Sequence, residues 1–234
     1  MEIIVFDKDP IIWKTMDYLW GEKLSVQLEY DSGSGYCCDV INSYNTTFSA
    51  DSINKETIRL WGASGECVIV NKSIISKNTL SKVEKFEIQY GSVGNILPMP
   101  QDLNSPYTGR AGFKGMGDYF DNFLLYVKWL YSDDKHENKC IYSLNLTKKD
   151  EDYFSKFKNF DDYVESNLIQ PFFLDSIYEY VKILDFRKFL CGEELINKFI
   201  DQSILIIKER EALILSMIKC NELKNSLSKY ICKI

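Results

Sequence analysis

Arg110 is the residue of this chain whose type and setting most favour ligand recognition. It lies in the stretch from Gly91 to Asp121, which holds six of the twelve glycines, three of the five prolines and one of four arginines. An arginine guanidinium presents a rigid fork of donors that fits a carboxylate or a phosphate. The sequence therefore predicts a binding site at Arg110 that includes three nearby polar residues, Asn104, Tyr107 and Lys114. In the alternative interpretation, Arg110 pairs within the chain with Asp118 or Asp121.

Three carboxylates are candidates for acid–base chemistry beside Arg110. Asp7 and Asp9 follow the strand-like run IIVF, and Asp121 ends the glycine-rich stretch. If the chain acts on a small anionic or nucleotide substrate, Arg110 would orient the anion and one of these carboxylates would move the proton. In the alternative interpretation, Asp7 and Asp9 close a turn before Pro10, and the charge of Asp121 offsets the dipole of a helix that begins near it. No motif in the sequence assigns a catalytic residue.

The sequence lacks the spacings of common cofactor and metal sites. A phosphate-binding P-loop requires GxxxxGK followed by Ser or Thr, whereas here Gly112, Gly115 and Gly117 lead into Asp118, whose charge repels a phosphate. No GxGxxG motif follows a strand. A single histidine, His136, lies in a polar turn and cannot build a His-rich metal site. We therefore predict neither a cofactor nor a metal.

Composition indicates which kinds of binding partner and which cellular compartment the sequence favours. The net charge is -6 with a pI near 5.0, and no run of Lys or Arg exceeds two residues, which disfavours extended nucleic-acid binding. Seven cysteines without CxxC spacing indicate reduced thiols in a cytoplasmic protein. No window approaches ~18 uninterrupted apolar residues, and the N-terminus lacks a signal-peptide pattern, so no membrane segment is predicted.

The first half of the chain, residues 1–92, is predicted to contain the sheet. Strands are expected at three alternating or β-branched runs: Leu24 to Tyr30, Glu66 to Asn71 and Lys85 to Gly91. Pro10 favours the first turn of a helix that continues to Trp20 and ends at Gly21. A second short helix is expected from Ser73 to Lys82. Residues 93–117 are predicted to form a Gly/Pro loop.

The second half, residues 118–234, is predicted to be helical. Apolar residues at helical spacing predict helices at Tyr119 to Tyr131, Asp150 to Lys158, Phe160 to Ile169 and Glu193 to Ile218. A further apolar seam, repeating at steps of three and four, runs through Cys220, Leu223, Leu227, Tyr230 and Ile234. This seam docks either on its own chain or on a second copy in a homodimer. The expected fold is a single α+β domain over 1–234, with a small mixed or antiparallel sheet in the N-terminal half and a helical C-terminal half.

Several stretches, taken in order along residues 6–210, resemble an uncharacterised bacterial domain of unknown function that is common in low-GC Gram-positive bacteria. The matching pieces are DKDP with the Leu19–Trp20 pair, SADSI at Ser49, ILP and LN before RAGF, DYFDNFLLYVKWLY at Asp118 and FDDYVE at Phe160. The family has an Asn-Gly-x-Arg-Gly turn, whereas here five residues separate Asn104 from Arg110. The resemblance carries no activity with it.

Composition and motifs together favour a non-enzymatic protein-binding protein of bacterial or phage origin. An acidic, aromatic-rich chain with a Gly/Pro loop suits an interface with a protein partner, such as a phage-defence nuclease that an anti-CRISPR-like inhibitor would block. The alternative is an enzyme that acts on a small anionic or nucleotide substrate through Arg110 and nearby carboxylates. A third hypothesis is a structural homodimer formed through the C-terminal helix.

Overall fold

The computed structural model describes ten parts of the chain, which are residues 8–30, 33–41, 57–61, 67–71, 73, 75–89, 91–103, 120–132, 146–173 and 193–232. The helices are α1 (Pro10–Met16), α2 (Glu22–Leu24), α3 (Lys77–Gln89), α4 (Phe120–Leu130), α5 (Lys148–Phe154), α6 (Phe160–Ser166), α7 (Glu193–Met217) and α8 (Asn221–Ser226). The strands are β1 (Tyr36–Val40), β2 (Thr57–Trp61), β3 (Cys67–Asn71) and β4 (Ile96–Pro100). Short 3₁₀ turns occupy Val93–Asn95, Gln170–Phe173 and Leu227–Tyr230. The α+β class is confirmed.

The first helix begins as the sequence predicts but ends later. Asp9 caps it by accepting a hydrogen bond from the Ile11 amide, with Pro10 in the first turn. A π-helical turn, Asp17–Gly21, joins α1 to α2, and the helical path ends where Ser25 adopts a left-handed conformation with φ of 57°. Gly21 therefore lies inside the helical path instead of ending it.

The strand predicted from Leu24 to Tyr30 does not form. The carboxylate of Asp17 accepts the Leu28 amide, and the Gly21 carbonyl accepts the Val26 amide. Because these backbone donors bind to the preceding helix, they are not available to a neighbouring strand. The apolar residues that alternate in this run still face the core, because Leu24 at the end of the helical path and Leu28 beyond it are both buried.

Two antiparallel strand pairs make up the described sheet structure. β1 pairs with β4, with Tyr36 opposite Pro100 and Val40 opposite Ile96. β2 pairs with β3, which confirms the strand expected near the β-branched run. The predicted Gly/Pro loop is wrong over 93–100, because this part forms a 3₁₀ turn and a fully buried strand. Each strand of a two-stranded sheet is an edge strand, and an edge strand tolerates proline at positions whose N–H is not needed for pairing. The prolines of β4 are therefore compatible with a strand.

Helix α3 replaces the strand predicted from Lys85 to Gly91 and also extends the predicted second helix. In a strand, Phe86 and Ile88 would point to the same face. In the structure, Phe86 is fully buried and Ile88 is 56% exposed, as helical spacing requires. The tertiary contacts of Phe86 and Val83 thus decide the local structure over the alternating pattern.

The long helix α7 confirms the most extended helical prediction, and α3 runs parallel to it. Glu193, at the start of α7, accepts hydrogen bonds from the Ser76 amide at 2.6 Å and the Thr79 hydroxyl at 2.6 Å. Farther along, Lys82 pairs with Asp201 at 2.7 Å. Beyond α3, the Ser92 hydroxyl donates to Glu211 at 2.6 Å. Side chains of α7 therefore hold both ends of the segment from Ser76 to Ser92.

The helices of the second half surround an aromatic group. α4 confirms the predicted helix from Tyr119 to Tyr131, and Phe123, Leu124 and Val127 are fully buried in it. α5 starts before the predicted residue because Thr147 and Asp150 form a capping box. α6 ends at Ser166, three residues earlier than predicted. Rings of these helices and of the residues that directly follow them pack at centroid distances of 4.9 to 6.5 Å, and they belong to Phe123, Tyr131, Tyr153, Phe154, Phe157 and Tyr163.

Candidate functional site

The predicted binding residues lie outside the described part of the chain. Asn104, Tyr107, Arg110 and Lys114 all fall in residues 104–119, and Asp7, Asp118 and His136 also lie outside the described ranges. Asp121 belongs to α4, of which the structure describes the backbone at this position. The predicted role of Arg110 therefore stays a prediction.

Residues on both sides of 104–119 are anchored in the hydrophobic core. On the N-terminal side, the whole of β4 is buried, and Leu103 is 1% exposed. On the C-terminal side, Phe123 and Leu124 in the first turns of α4 are fully buried. The body of the protein thus fixes the chain before and after the segment that contains Arg110.

Asp9, the one acid–base candidate whose side chain is described, is engaged in structural contacts. Its carboxylate accepts the Ile11 amide at 2.9 Å, the Lys229 ammonium at 2.7 Å and the Tyr230 hydroxyl. Although partial burial opposes ionisation, hydrogen bonds from Lys229 and Tyr230 hold the pKa of Asp9 below its ordinary value. The ionised carboxylate joins the start of α1 to the C-terminal 3₁₀ turn.

The most unusual polar group in the described core is Arg210 of α7, which the sequence interpretation missed. Its side chain is fully buried. The Nη1 group donates to the carbonyls of Gly94 at 2.9 Å and Ile96 at 2.6 Å, and Nε and Nη2 donate to the carbonyl of Asn167 at 3.3 and 3.0 Å. The guanidinium also lies over the ring of Trp20, at 5.7 Å from its centroid. We call Arg210 and these four partners the Arg210 network.

The Arg210 network satisfies main-chain groups that burial would otherwise leave without partners. The Asn167 carbonyl lies at the C-terminal end of α6, where a helix leaves carbonyls free and favours a cation. Burial lowers the pKa of Arg210 to about 9, and nearby Tyr163 and Cys38 act in the opposite direction, so the charge persists at pH 7. Four of its five N–H groups bind carbonyls, so the network joins α6, α7 and the start of β4.

One sequence signal could have identified Arg210. On α7, buried residues recur at helical spacing through Ser203, Ile207, Ile214 and Ile218, and Arg210 falls on the same face. An arginine on an apolar face predicts a buried charge with committed partners. Its hydrogen-bond partners are 43 to 116 residues away along the chain, so the sequence does not identify them.

Two tyrosines of the aromatic group, the buried Tyr153 and the partly buried Tyr131, are held in their neutral form. Burial, together with neighbouring Tyr163, raises the pKa of Tyr153 well above its ordinary value. Burial likewise raises the pKa of Tyr131, whose hydroxyl donates to the Phe154 carbonyl at 2.6 Å. These hydroxyls therefore stay protonated through the neutral pH range.

Asp162 provides a pH-dependent contact at the surface. It accepts the Lys158 amide at 2.8 Å, pairs with Lys23 at 2.9 Å and accepts the Ser166 hydroxyl at 2.9 Å. The Lys158 amide and the Lys23 ammonium lower the pKa of Asp162 to about 2. A lowered folded-state pKa stabilises the fold above the unfolded value near 3.8, and this contribution is lost as the pH falls toward 2.

We expect Asp162→Asn to lower the free energy of unfolding near pH 6, because it removes the ionised carboxylate that these donors bind. The loss should be only on the order of 1 kcal/mol, because the side chain is partly solvated. The difference from the wild type should shrink below pH 4 and become small by pH 2, where the carboxylate is half protonated in the folded state, as measured by urea denaturation across this range. Asp161→Asn, at the exposed neighbouring position, is the control. A difference that is independent of pH would contradict the assignment.

Within the described ranges, no three His, Cys, Asp or Glu side chains are grouped to hold a metal ion. None of the helices described is both long and apolar enough to cross a membrane. Comparison with protein-family models, curated proteins and solved structures found no match to this chain.

Proposed function

We propose that this chain is a non-enzymatic protein-binding protein of bacterial or phage origin. It contacts its partner through residues 104–119, which we call the binding segment, with Arg110, Tyr107, Asn104 and Lys114 as the recognition residues. The partner that we favour is a phage-defence nuclease, which the protein would inhibit in the manner of an anti-CRISPR protein. Membership of the uncharacterised bacterial family stays a prediction and is consistent with this origin.

The anchoring of the chain on both sides of the binding segment is the observation that carries the proposal. Leu103 on one side, and Phe123 with Leu124 on the other, are buried in the core. Recognition residues are commonly carried on connecting segments that a rigid scaffold positions. Arginine and tyrosine are enriched among the residues that dominate interface energies, and both occur in the binding segment.

The contacts of Asp9 also favour binding over catalysis. The alternative function, an enzyme for a small anionic or nucleotide substrate, uses Arg110 with Asp7, Asp9 or Asp121 as acid–base groups. In the structure, the Asp9 carboxylate is bonded to Ile11, Lys229 and Tyr230. An acid–base role would require Asp9 to exchange these contacts for a substrate.

The proposal is tested by crosslinking capture from a bacterial lysate with the wild type, Arg110→Ala and Lys198→Ala. Lys198 is an exposed lysine on α7, far in sequence from the binding segment, so its variant controls for loss of a surface cation. We expect Arg110→Ala to weaken capture of the partner by about 30-fold, since truncation of a central interface arginine costs roughly 2 kcal/mol. Equal capture by both variants would contradict the role of the binding segment.

The nuclease inhibition is tested separately, by phage plaquing on cells with active CRISPR immunity and on matched cells that lack the nuclease. We expect the protein to restore plaquing only in the immune cells, and Arg110→Ala to reduce the restoration. If the wild type captures a partner but does not change plaquing, the partner belongs to another class. If nucleotides raise the melting temperature of the wild type and not of Arg110→Ala, the enzymatic alternative gains support over the proposal.

A further inference from the structure

The C-terminal segment, residues 221–232, folds back onto the body after a short connection. α7 ends at Met217, and Ile218–Cys220 lead into α8. The Lys219 amide in this connection donates to the Tyr18 hydroxyl at 3.1 Å. Three large side chains of the C-terminal segment are buried in the core of the same chain, and they belong to Leu223, Leu227 and Tyr230. The predicted apolar seam therefore docks on its own chain at these three positions, whereas Cys220 is exposed and Ile234 lies outside the described residues. Homodimer formation stays a prediction.

Two carboxylates outside the C-terminal segment bind its last residues. Asp9, before α1, accepts the Lys229 ammonium and the Tyr230 hydroxyl. Glu211, on α7, accepts the Cys232 amide at 2.8 Å and at the same time the Ser92 hydroxyl. Side chains from the two ends of the chain thus meet at the 3₁₀ turn Leu227–Tyr230.

We infer that the C-terminal segment is a latch, held closed by the carboxylates of Asp9 and Glu211, that opens as one unit while the rest of the protein stays folded. A short element that contributes only a few apolar side chains to the core opens at lower free energy than the core itself. α7, by contrast, is held along its length by α3, by the Ser92 contact and by the Arg210 network. Opening exposes Leu223, Leu227 and Tyr230, which form an apolar surface at helical spacing.

Hydrogen exchange measured by mass spectrometry at pH 7 tests the latch in the full chain. In the wild type, amides of residues 223–232 should exchange at least about tenfold faster than those of the middle of α7, residues 203–214. Asp9→Asn is the main variant, because asparagine also caps a helix and so preserves α1 while it removes the ion pair with Lys229. We expect it to raise exchange in the C-terminal segment by a further tenfold or so, with less than about a twofold change in α7.

Two further variants separate the latch from a general loss of stability. Tyr230→Phe removes only the hydroxyl that Asp9 accepts, and it should produce a smaller increase confined to the same residues. Asp201→Asn, which removes an exposed ion pair with Lys82 elsewhere on α7, should leave the C-terminal segment unchanged. Equal exchange rates in the C-terminal segment and α7 of the wild type would overturn the inference. So would an increase in Asp9→Asn that spreads evenly over the chain.

Discussion

Arg210→Met is expected to lower the free energy of unfolding by about 3–5 kcal/mol, the largest effect that we predict for a side-chain substitution in the described core. Methionine fills much of the same volume but donates no hydrogen bond. The buried carbonyls of Gly94, Ile96 and Asn167 would then lose the donor that the structure gives them. Each unsatisfied buried acceptor costs roughly 1–3 kcal/mol. Urea denaturation followed by tryptophan fluorescence measures the loss.

Two related variants distinguish the hydrogen bonds of Arg210 from its charge. Arg210→Lys keeps the cation but lacks the planar fork, so it should fall between the wild type and Arg210→Met. Lys198→Met makes a similar chemical change at an exposed position of the same helix and should stay within about 0.5 kcal/mol of the wild type. If Arg210→Met proved as stable as Lys198→Met, the carbonyl contacts would not be what stabilises the junction.

Gly94→Ala is expected to destabilise the protein by about 2–4 kcal/mol, because the 3₁₀ turn Val93–Asn95 lies directly against α7. A Cβ at this position would be 2.1 Å from the Ile207 carbonyl oxygen and 3.0 Å from the Glu211 amide nitrogen. Both are backbone atoms of a continuous helix, so they cannot rotate away. The turn must move off α7, which would also lengthen the contacts of Arg210 with Gly94 and Ile96.

Gly33→Ala is the matched control for the glycine substitution. Gly33 has φ of 69°, and apart from its chain neighbours no atom of the described residues lies within 4 Å of the position that a Cβ would take. Its replacement therefore costs only the strain of a left-handed backbone, about 1–2 kcal/mol. Thermal and urea unfolding should rank the wild type above Gly33→Ala and Gly33→Ala above Gly94→Ala. The reverse order of the two variants would mean that the turn can leave α7 at little cost.

The parts of the fold that follow from local pattern were predictable from the sequence. The long helix α7 and the helix α4 carry apolar residues at a helical period over many positions, and β3 is a β-branched run. In the two helices, the residues that set the helical period are also the ones that face the core. The α+β class follows from them.

The remaining parts depend on contacts between residues far apart in sequence. β4 contains Pro98 and Pro100, which argue for a loop when considered alone, yet pairing with β1 makes it a buried strand. The run from Lys85 to Gly91 alternates like a strand, but packing against α7 makes most of it helical. The partners of Arg210 come from three separate regions of the chain. Residue types indicate that such a group needs partners, and only the folded structure shows which ones it has.

The contacts of α7 with α3 restrict how this part of the sequence can change in length. Glu193 and Glu211 lie about five turns apart on α7, roughly 27 Å, and each binds one end of the segment from Ser76 to Ser92. Insertion of a single residue in α3 would shift everything after it by about 1.5 Å and rotate it by ~100°. Ser92 would then miss Glu211, and Gly94 would no longer be the residue that faces Ile207. The exposed face of α3 should therefore tolerate substitutions, whereas insertions and deletions within α3 should destabilise the fold.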